Sequence, residues 1–288
     1  MSSPIVDTRL SYSSSTLLKN CSQKYFYHKV VGVAKDPDSS ENEDAFNVGK
    51  CFHFVLEENG HTEDRLEELL DKGCKAFEVD SEKAMIHAML LRYLQAHKKS
   101  GLTPVKCEFY IENKIFIGYI DVILTDDQGY WWIADLKTAS RFSEITTARL
   151  TDDPQLNLYC SFADMLAKAL NLDINKFMGA RYRVTTKSSL TQKASESYNE
   201  FVIRTANNVK SYDIIIPKEL MSPKETYEEF KKLHAKTMKL RSGKLKPEKN
   251  RSYCDSYFKP CEYWSQCHGG NTFTKCKELL VVNGSNNV

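Results

Sequence analysis

Two apolar, strand-like runs, each interrupted by one carboxylate, constrain this chain more than any other feature. Gly118-Tyr119-Ile120-Asp121-Val122-Ile123-Leu124 is β-branched and aromatic, and so is Tyr130-Trp131-Trp132-Ile133-Ala134-Asp135-Leu136-Lys137. Such compositions favour strands. The polar run between them ends in Gly129, as hairpin turns often do. A carboxylate inside an apolar strand is costly unless charge or hydrogen-bond donors sit beside it. Strands joined by a tight turn are expected to pair, which brings Asp121 and Asp135 together. Converging carboxylates that stay ionised suit Mg²⁺ or Mn²⁺. Lys137 follows Asp135 by two residues, so the strand period places both on one face. Two readings are open at this point. One is chemistry on a phosphate, with metal on the carboxylates and a lysine that positions water and offsets developing negative charge. The other is a buried Asp–Lys ion pair in an ordinary sheet.

Composition narrows the setting. The chain has 288 residues, 41% of them hydrophobic, enough for one large domain or a core with an appended subdomain. The formal net charge of +2 gives no bulk basicity that would announce nucleic acid, although a local groove can still be basic. No apolar run approaches the ~20 residues of a membrane span. The N-terminal Met1-Ser2-Ser3-Pro4-Ile5-Val6-Asp7 lacks the basic and apolar regions of a signal peptide. The expectation is a soluble, cytoplasmic protein. Nine cysteines without a secretion signal do not suggest a disulfide framework. Cys51, Cys74, Cys107 and Cys160 stand singly in apolar surroundings and read as small core residues. Cys254, Cys261, Cys267 and Cys276 cluster near the C-terminus, and Cys21 stands near the N-terminus.

Taken in order, the chain reads as a short helix from about Ser13, extended by Tyr25, Phe26 and Tyr27, and then an acidic loop over 35–44. Phe46, Gly49, Phe52, His53 and Leu56 have helical spacing, and His53 falls on or beside the apolar side. Helices follow over 63–77 and 81–99, the second with Ser81 as cap and Met85, Met89, Leu90 and Leu94 as a packing stripe. The period then changes to two. Strands over 105–111, 115–124 and 130–137 form an antiparallel meander, with Glu108 in the first, either facing the same site or exposed at an edge. A helix over 152–170 is capped by Asp152 or Asp153, has Pro154 in its first turn, and presents Gln155 and Tyr159 on one face. Phe177 to Thr186, Glu200 to Arg204 and Tyr212 to Ile216 read as strands, and 223–241 as a basic helix. The expected divisions are 1–45, a helical cover over 46–100, a core over 101–216, and 217–288.

The order helix, three antiparallel strands, helix, strand resembles the core of the PD-(D/E)XK nucleases. His53, Asp121 in Gly-Tyr-Ile-Asp, Asp135-Leu136-Lys137, and Gln155-Leu-Asn-Leu-Tyr159 occur in the order of that superfamily's RecB-like branch. The branch includes the AddB nuclease domain and CRISPR-associated RecB-like exonucleases. The resemblance implies an α/β (α+β) restriction-endonuclease-like fold, with a central mixed sheet flanked by helices, a helical cover and a cysteine-ligated subdomain. It implies that His53, Asp121, Asp135 and the Leu136 carbonyl ligate Mg²⁺ or Mn²⁺. Lys137 would position the attacking water, and Gln155 and Tyr159 would steady the site and contact the DNA backbone.

The iron–sulfur members of the branch carry one cysteine before the core and three after it. By that resemblance Cys21, Cys254, Cys261 and Cys267 would bind a 4Fe–4S cluster that staples the two chain ends, with zinc as the competing metal. The final Cys-x₅-Cys interval matches the family. Six residues separate Cys254 from Cys261 where relatives commonly have two, which leaves Cys276 as a substitute ligand. The implied function is single-stranded DNA exonuclease activity in repair, recombination or processing, with endonuclease and RNA cleavage left open. A helicase or recombination partner would be another chain, because no phosphate-binding Gly-rich loop is present. The rival functions are a catalytically silent DNA-binding subunit and a redox-sensing iron–sulfur protein. Polarity and oligomeric state are not legible.

Overall fold

The computed structural model describes residues 8–36, 43–140, 147–254 and 260–269. In chain order the helices are α1 (Tyr12–Asn20), α2 (Ser22–Tyr25), α3 (Glu43–Glu58), α4 (Leu66–Phe77) and α5 (Lys83–Ser100). Three strands follow: β1 (Thr103–Glu112), β2 (Ile117–Thr125) and β3 (Trp131–Ala139). Then come α6 (Thr147–Thr151), α7 (Pro154–Cys160), α8 (Ala163–Leu170), β4 (Phe177–Thr186), α9 (Tyr198–Asn208) and β5 (Ser211–Pro217). The chain closes with α10 (Pro223–Arg241) and α11 (Trp264–His268). These elements fall into two compact units. One comprises 42–112 and 117–229, and the other 1–41, 113–116 and 230–288.

The larger unit is built on a five-stranded sheet of order β1-β2-β3-β4-β5. The meander β1-β2-β3 is antiparallel, β3 and β4 are parallel, and β4 and β5 are antiparallel. A parallel neighbour needs a crossover, and α6, α7 and α8 supply it. One sheet face, with Val122, Leu124, Trp132, Ala134 and Leu136, packs against the buried stripes of α3, α4 and α5. In α3 that stripe is Val48, Cys51, Phe52, Val55 and Leu56, the helical spacing of a core face. Gly49 lets the helix approach the sheet closely, since a Cβ there would lie 3.3 Å from Thr138 Oγ1.

A buried guanidinium ties α5 to β4 and β5. Arg183 is 3% exposed and donates from Nε and Nη2 to Asp213 Oδ2 at 3.0 and 2.9 Å. Its Nη1 donates to Tyr93 Oη at 3.0 Å and reaches His97 Nδ1 at 2.8 Å, and Nη2 donates to Ser100 Oγ at 3.2 Å. Burial holds His97 down to about 4, so the ring is neutral and accepts from the arginine.

The smaller unit has a modest core. α1 begins at a reciprocal capping box between Ser11 and Ser14. Leu10 bridges to Phe116, whose ring meets Phe230 edge-on at 5.4 Å. Leu18, Tyr25, Leu240 and Tyr263 are buried, and Ser22 Oγ accepts from the Glu248 N–H at 2.9 Å.

Several local expectations give way to competing interactions. Residues 200–204 are helical. Ser197 and Glu200 form a capping box, and Phe201, Val202 and Thr205 are buried at helical spacing. The expected helix over 152–170 is two helices, because Ser161 Oγ donates to the Leu158 carbonyl at 2.6 Å and the chain leaves helical geometry at Phe162. Ser81 does not cap α5: its hydroxyl bonds Glu82, and a 3₁₀ turn over Asp80–Glu82 precedes the helix. Phe46 has helical spacing but is 62% exposed, off the core stripe. Asp153, rather than Asp152, caps α7, accepting from the Gln155 and Leu156 N–H groups.

Asp213→Ala leaves the Arg183 charge buried without its counter-charge. The expected loss is roughly 3–5 kcal/mol of stability, the usual penalty for breaking a buried pair. Urea unfolding should show a lower midpoint with an unchanged slope.

Candidate active site

The site forms where β2 and β3 part. Their paired residues run from Thr125–Trp131 to Val122–Ala134. One step on, the Leu136 N–H donates to Asp121 Oδ2 at 2.6 Å instead of to a strand carbonyl. The Asp121 carboxylate therefore sits between the strands and helps hold them apart. On the other side of β2, Glu108 interrupts β1 with φ 43°, a left-handed conformation unusual for glutamate. Its flanking residues keep register, Cys107 with Val122 and Phe109 with Ile120, so Glu108 lies opposite Asp121.

His53 comes from α3, with Nδ1 3.9 Å from Asp121 Oδ2. One ligand atom from each of His53, Glu108 and Asp121 lies within 4.8 Å of the others. Two carboxylates and an imidazole form a hard donor set suited to Mn²⁺ or Mg²⁺. The protonation energetics fit a cation. Burial, the nearby Asp121 charge and Glu57 push the Glu108 carboxyl up to about 8. Burial raises Asp121 as well, against the pull of Lys137 and the Leu136 N–H. Burial and the Lys137 ammonium lower His53 to about 4, so its imidazole is neutral and able to ligate, with the Leu136 backbone as a hydrogen-bond partner.

Asp135 lies outside this group, 1% exposed in the middle of the sheet. Lys137 Nζ donates to its Oδ1 at 2.9 Å. The second oxygen, Oδ2, is 2.8 Å from the same ammonium but has no well-directed hydrogen bond. It is an orphaned buried acceptor, which a cation or a water could serve. Burial pushes Asp135 up to about 7, and the Asp121 charge adds to this while Lys137 opposes it. Burial disfavours the Lys137 charge, but Asp135 and Asp121 outweigh it and hold the ammonium above its usual range. Gln155 Oε1 accepts from Lys137 at 3.4 Å, and its Nε2 donates to Tyr159 Oη at 3.3 Å. This chain of contacts runs from the buried carboxylate through the lysine to α7.

The expected residues His53, Asp121, Asp135, Leu136, Lys137, Gln155 and Tyr159 thus stand in one neighbourhood, and Glu108 joins it. A cavity of about 500 Å³ opens beside them, lined by His53, Glu108, Leu136 and Lys137 and by Phe46, Lys50, Phe54 and Phe77. The resemblance implies a cover over 46–99 that forms a channel too narrow for duplex, with aromatic residues that stack on bases; it does not single out Phe46, and Lys50 is not assigned to the site. The available signal was a second stripe on α3, Phe46, Lys50, His53 and Glu57, at intervals of three or four residues.

In the smaller unit, Cys21, Cys254, Cys261 and Cys267 line one enclosed cavity with Lys24 and Lys249. Burial raises the Cys267 thiol, Lys249 lowers it, and Cys261, Cys21 and Cys254 raise it further. The four sulfurs are therefore near neighbours. Among the described residues, however, no three of them lie mutually within 4.8 Å. Cys21 is held as the cap of α2, accepting from the Lys24 N–H at 3.5 Å, and the Cys261 N–H donates to the Cys254 carbonyl at 2.7 Å. Cys276 lies outside the described residues.

Among the described residues, no helix is long and apolar enough to cross a membrane. A family model described as the PD-(D/E)XK nuclease superfamily matches residues 9–268. A crystal structure from Eubacterium rectale that carries a provisional exonuclease name is similar in fold, with a TM-score of 0.54 at 12% identity. The match covers 91% of this chain and 94% of that one. No curated protein matches.

Metal binding should be steeply pH-dependent. Raised carboxyls keep protons that a divalent cation must displace, so Mn²⁺ affinity should rise as pH rises through about 7 and 8, the positions of Asp135 and Glu108. The metal-free protein should lose stability as pH rises from the ordinary carboxylate range up to about 7 and 8, where the unfolded chain has already given up protons that the folded one keeps. The gain in Tm on adding Mn²⁺ should therefore be larger at pH 8 than at pH 6. It should vanish in Asp121→Ala, measured by scanning calorimetry.

Proposed function

The chain belongs to the PD-(D/E)XK nuclease superfamily, and from that premise we propose that it is a Mg²⁺- or Mn²⁺-dependent deoxyribonuclease that digests DNA from a single-stranded end. The observation that carries this reading is the meeting of His53, Glu108 and Asp121 beside the Asp135–Lys137 pair. The bound cation supplies Lewis-acid stabilisation of the phosphate and lowers the pKa of water.

The protein's own groups do the rest. His53, Glu108 and Asp121 would hold the cation, with Asp135 beside them, its Oδ2 2.8 Å from Lys137 Nζ and lacking a well-directed hydrogen bond. Lys137 keeps its proton because two carboxylates face it, so it offers a fixed positive charge and N–H donors to a scissile phosphate and its attacking water. Gln155 fixes the ammonium by accepting from it, and Tyr159 fixes Gln155. All these side chains are set by packed elements before substrate arrives, which limits reorganisation during reaction. A helicase or recombination protein in another chain would supply unwound ends.

Lys137→Ala should lower kcat by about 10²–10³, the cost of removing a donor aimed at developing charge. KM should change little, while Tm should fall, since Asp135 loses the ammonium that offsets its burial. End-labelled single-stranded, duplex and circular DNA, each with Mn²⁺, test the whole reading. Near wild-type turnover in the mutant rejects the role of the lysine, and equal cutting of circles rejects digestion from an end.

We further infer that Cys21, Cys254, Cys261 and Cys267 bind a 4Fe–4S cluster. Thiolates suit iron–sulfur clusters and zinc alike. What supports a shared metal centre is that the four cysteines, from both ends of the chain, line one cavity. Lys24 and Lys249 in the cavity lining would offset thiolate charge. Anaerobically purified protein should be brown, with absorption near ~400 nm and near-equal iron and sulfide. Cys21→Ala should bleach it and lower Tm. Colourless protein with stoichiometric zinc rejects the cluster.

A further inference from the structure

The cavity next to the metal-binding group has an exposed aromatic wall that hydrolysis alone does not require. Phe46 is 62% exposed, whereas Phe52 on the same helix is fully buried and Phe54 partly buried. Lys50, one turn along α3, places its ammonium 4.3 Å from the centroid of the Phe46 ring. Phe54 and Phe77 meet edge-on at 6.0 Å in the same cavity. The volume of about 500 Å³ is that of a small-molecule site. The cavity is continuous with the chemistry, because His53, Glu108 and Lys137 line it too.

We propose that this cavity is a nucleoside subsite, in which an unpaired base of the substrate strand stacks on Phe46 and the phosphate next to it lies on Lys50. This rests on the nuclease reading above and names what the site selects. Aromatic rings bind bases of any sequence through their π-faces, and a flanking cation follows the backbone. A base can reach Phe46 only after leaving its own stack, so the subsite favours single strands and frayed ends over closed duplex. The charge order along α3 gives the strand a direction. Lys50 lies one turn before His53 and attracts an anion, whereas the exposed Glu57, one turn after it, repels one. The strand therefore crosses the metal group and runs out towards Lys50 and Phe46.

The test compares a single-stranded oligonucleotide with a base-less deoxyribose-phosphate oligomer of equal length. Wild type, Phe46→Ala, Phe46→Trp and Lys50→Gln are each assayed with Mn²⁺ for kcat and KM. Binding is measured by fluorescence anisotropy without added metal, where no turnover occurs. Because Phe46 and Lys50 are exposed, all variants should fold, with Tm as the check. Phe46→Ala should raise KM for the normal strand roughly tenfold or more, as loss of one stacked base does, with kcat little changed. It should have no effect on the base-less oligomer, and Phe46→Trp should restore the normal strand. Lys50→Gln should weaken both substrates by similar factors. Equal effects of Phe46→Ala on both substrates, no effect on either, or no rescue by tryptophan would overturn the subsite. If DNA is cut normally while Phe46→Ala is silent, the subsite fails and the nuclease reading stands. If wild type cuts no DNA but Phe46 still governs base-dependent binding, the nuclease reading fails and the subsite stands.

Discussion

A carboxylate buried in the central strand of the sheet is the constraint on which the rest of the larger unit depends. Asp135 is 1% exposed on β3, with β2 and β4 on either side. An isolated ion there would be costly, and the structure limits the cost with one contact from Lys137 on the same strand face. The arrangement remains incomplete, since Oδ2 lacks a hydrogen bond and the carboxyl is pushed up to about 7. Nearby, burial raises Glu108 and the Asp121 charge adds to it, while burial alone raises Asp121 against the pull of Lys137 and the Leu136 N–H. Three carboxyls that resist ionisation make a poor ion-pair network and a good place for a divalent cation. The cost of burying these carboxyls together and their suitability as a donor set for a cation have the same origin.

Backbone geometry works in the same direction. The β2–β3 ladder stops at Val122–Ala134, and the Asp121 side chain takes over as acceptor for the Leu136 N–H. β1 adopts a left-handed residue at Glu108 opposite that point. A regular sheet would place Glu108 and Asp121 in ordinary cross-strand positions. With the left-handed residue on one side and the substituted hydrogen bond on the other, both carboxylates lie beside His53. Helix α3 then serves two purposes through two stripes. Val48, Cys51, Phe52, Val55 and Leu56 anchor it to the core, while Phe46, Lys50, His53 and Glu57 face the cavity or solvent.

The smaller unit has a different problem. It joins residues 1–41 to 230–288 with a short turn at 113–116. Among the described residues its buried apolar side chains are few, and polar contacts such as Ser22 with Glu248 and His28 Nδ1 with Tyr263 Oη at 2.9 Å join its segments. Such a unit gains more from a covalent or metal crosslink than a large core does. Cys21 converges there with three cysteines from the other end of the chain, around one cavity.

The amino-acid sequence by itself determined the meander, the further strand over 177–186 (that it runs parallel to β3 came from the structure), and the order of His53, Asp121, Asp135, Lys137, Gln155 and Tyr159. These are local facts: strand composition, a period of two, a turn ending in Gly129 and a helix spacing of four all act over a few residues. It also separated Cys21 and the C-terminal cysteines from those that pack in the core. What it misread were places where side chain–backbone bonds compete with propensity. The Ser197–Glu200 box made a helix of 200–204, and the Ser161 hydroxyl ended α7. Only the tertiary structure decided that Glu108 faces Asp121, because that depends on one backbone angle in β1 and its register with β2. Only it turned Phe46 away from the core and into the wall of a cavity. Both outcomes depend on which face of an element its neighbours cover, a property of the packed sheet and helices that no local pattern carries.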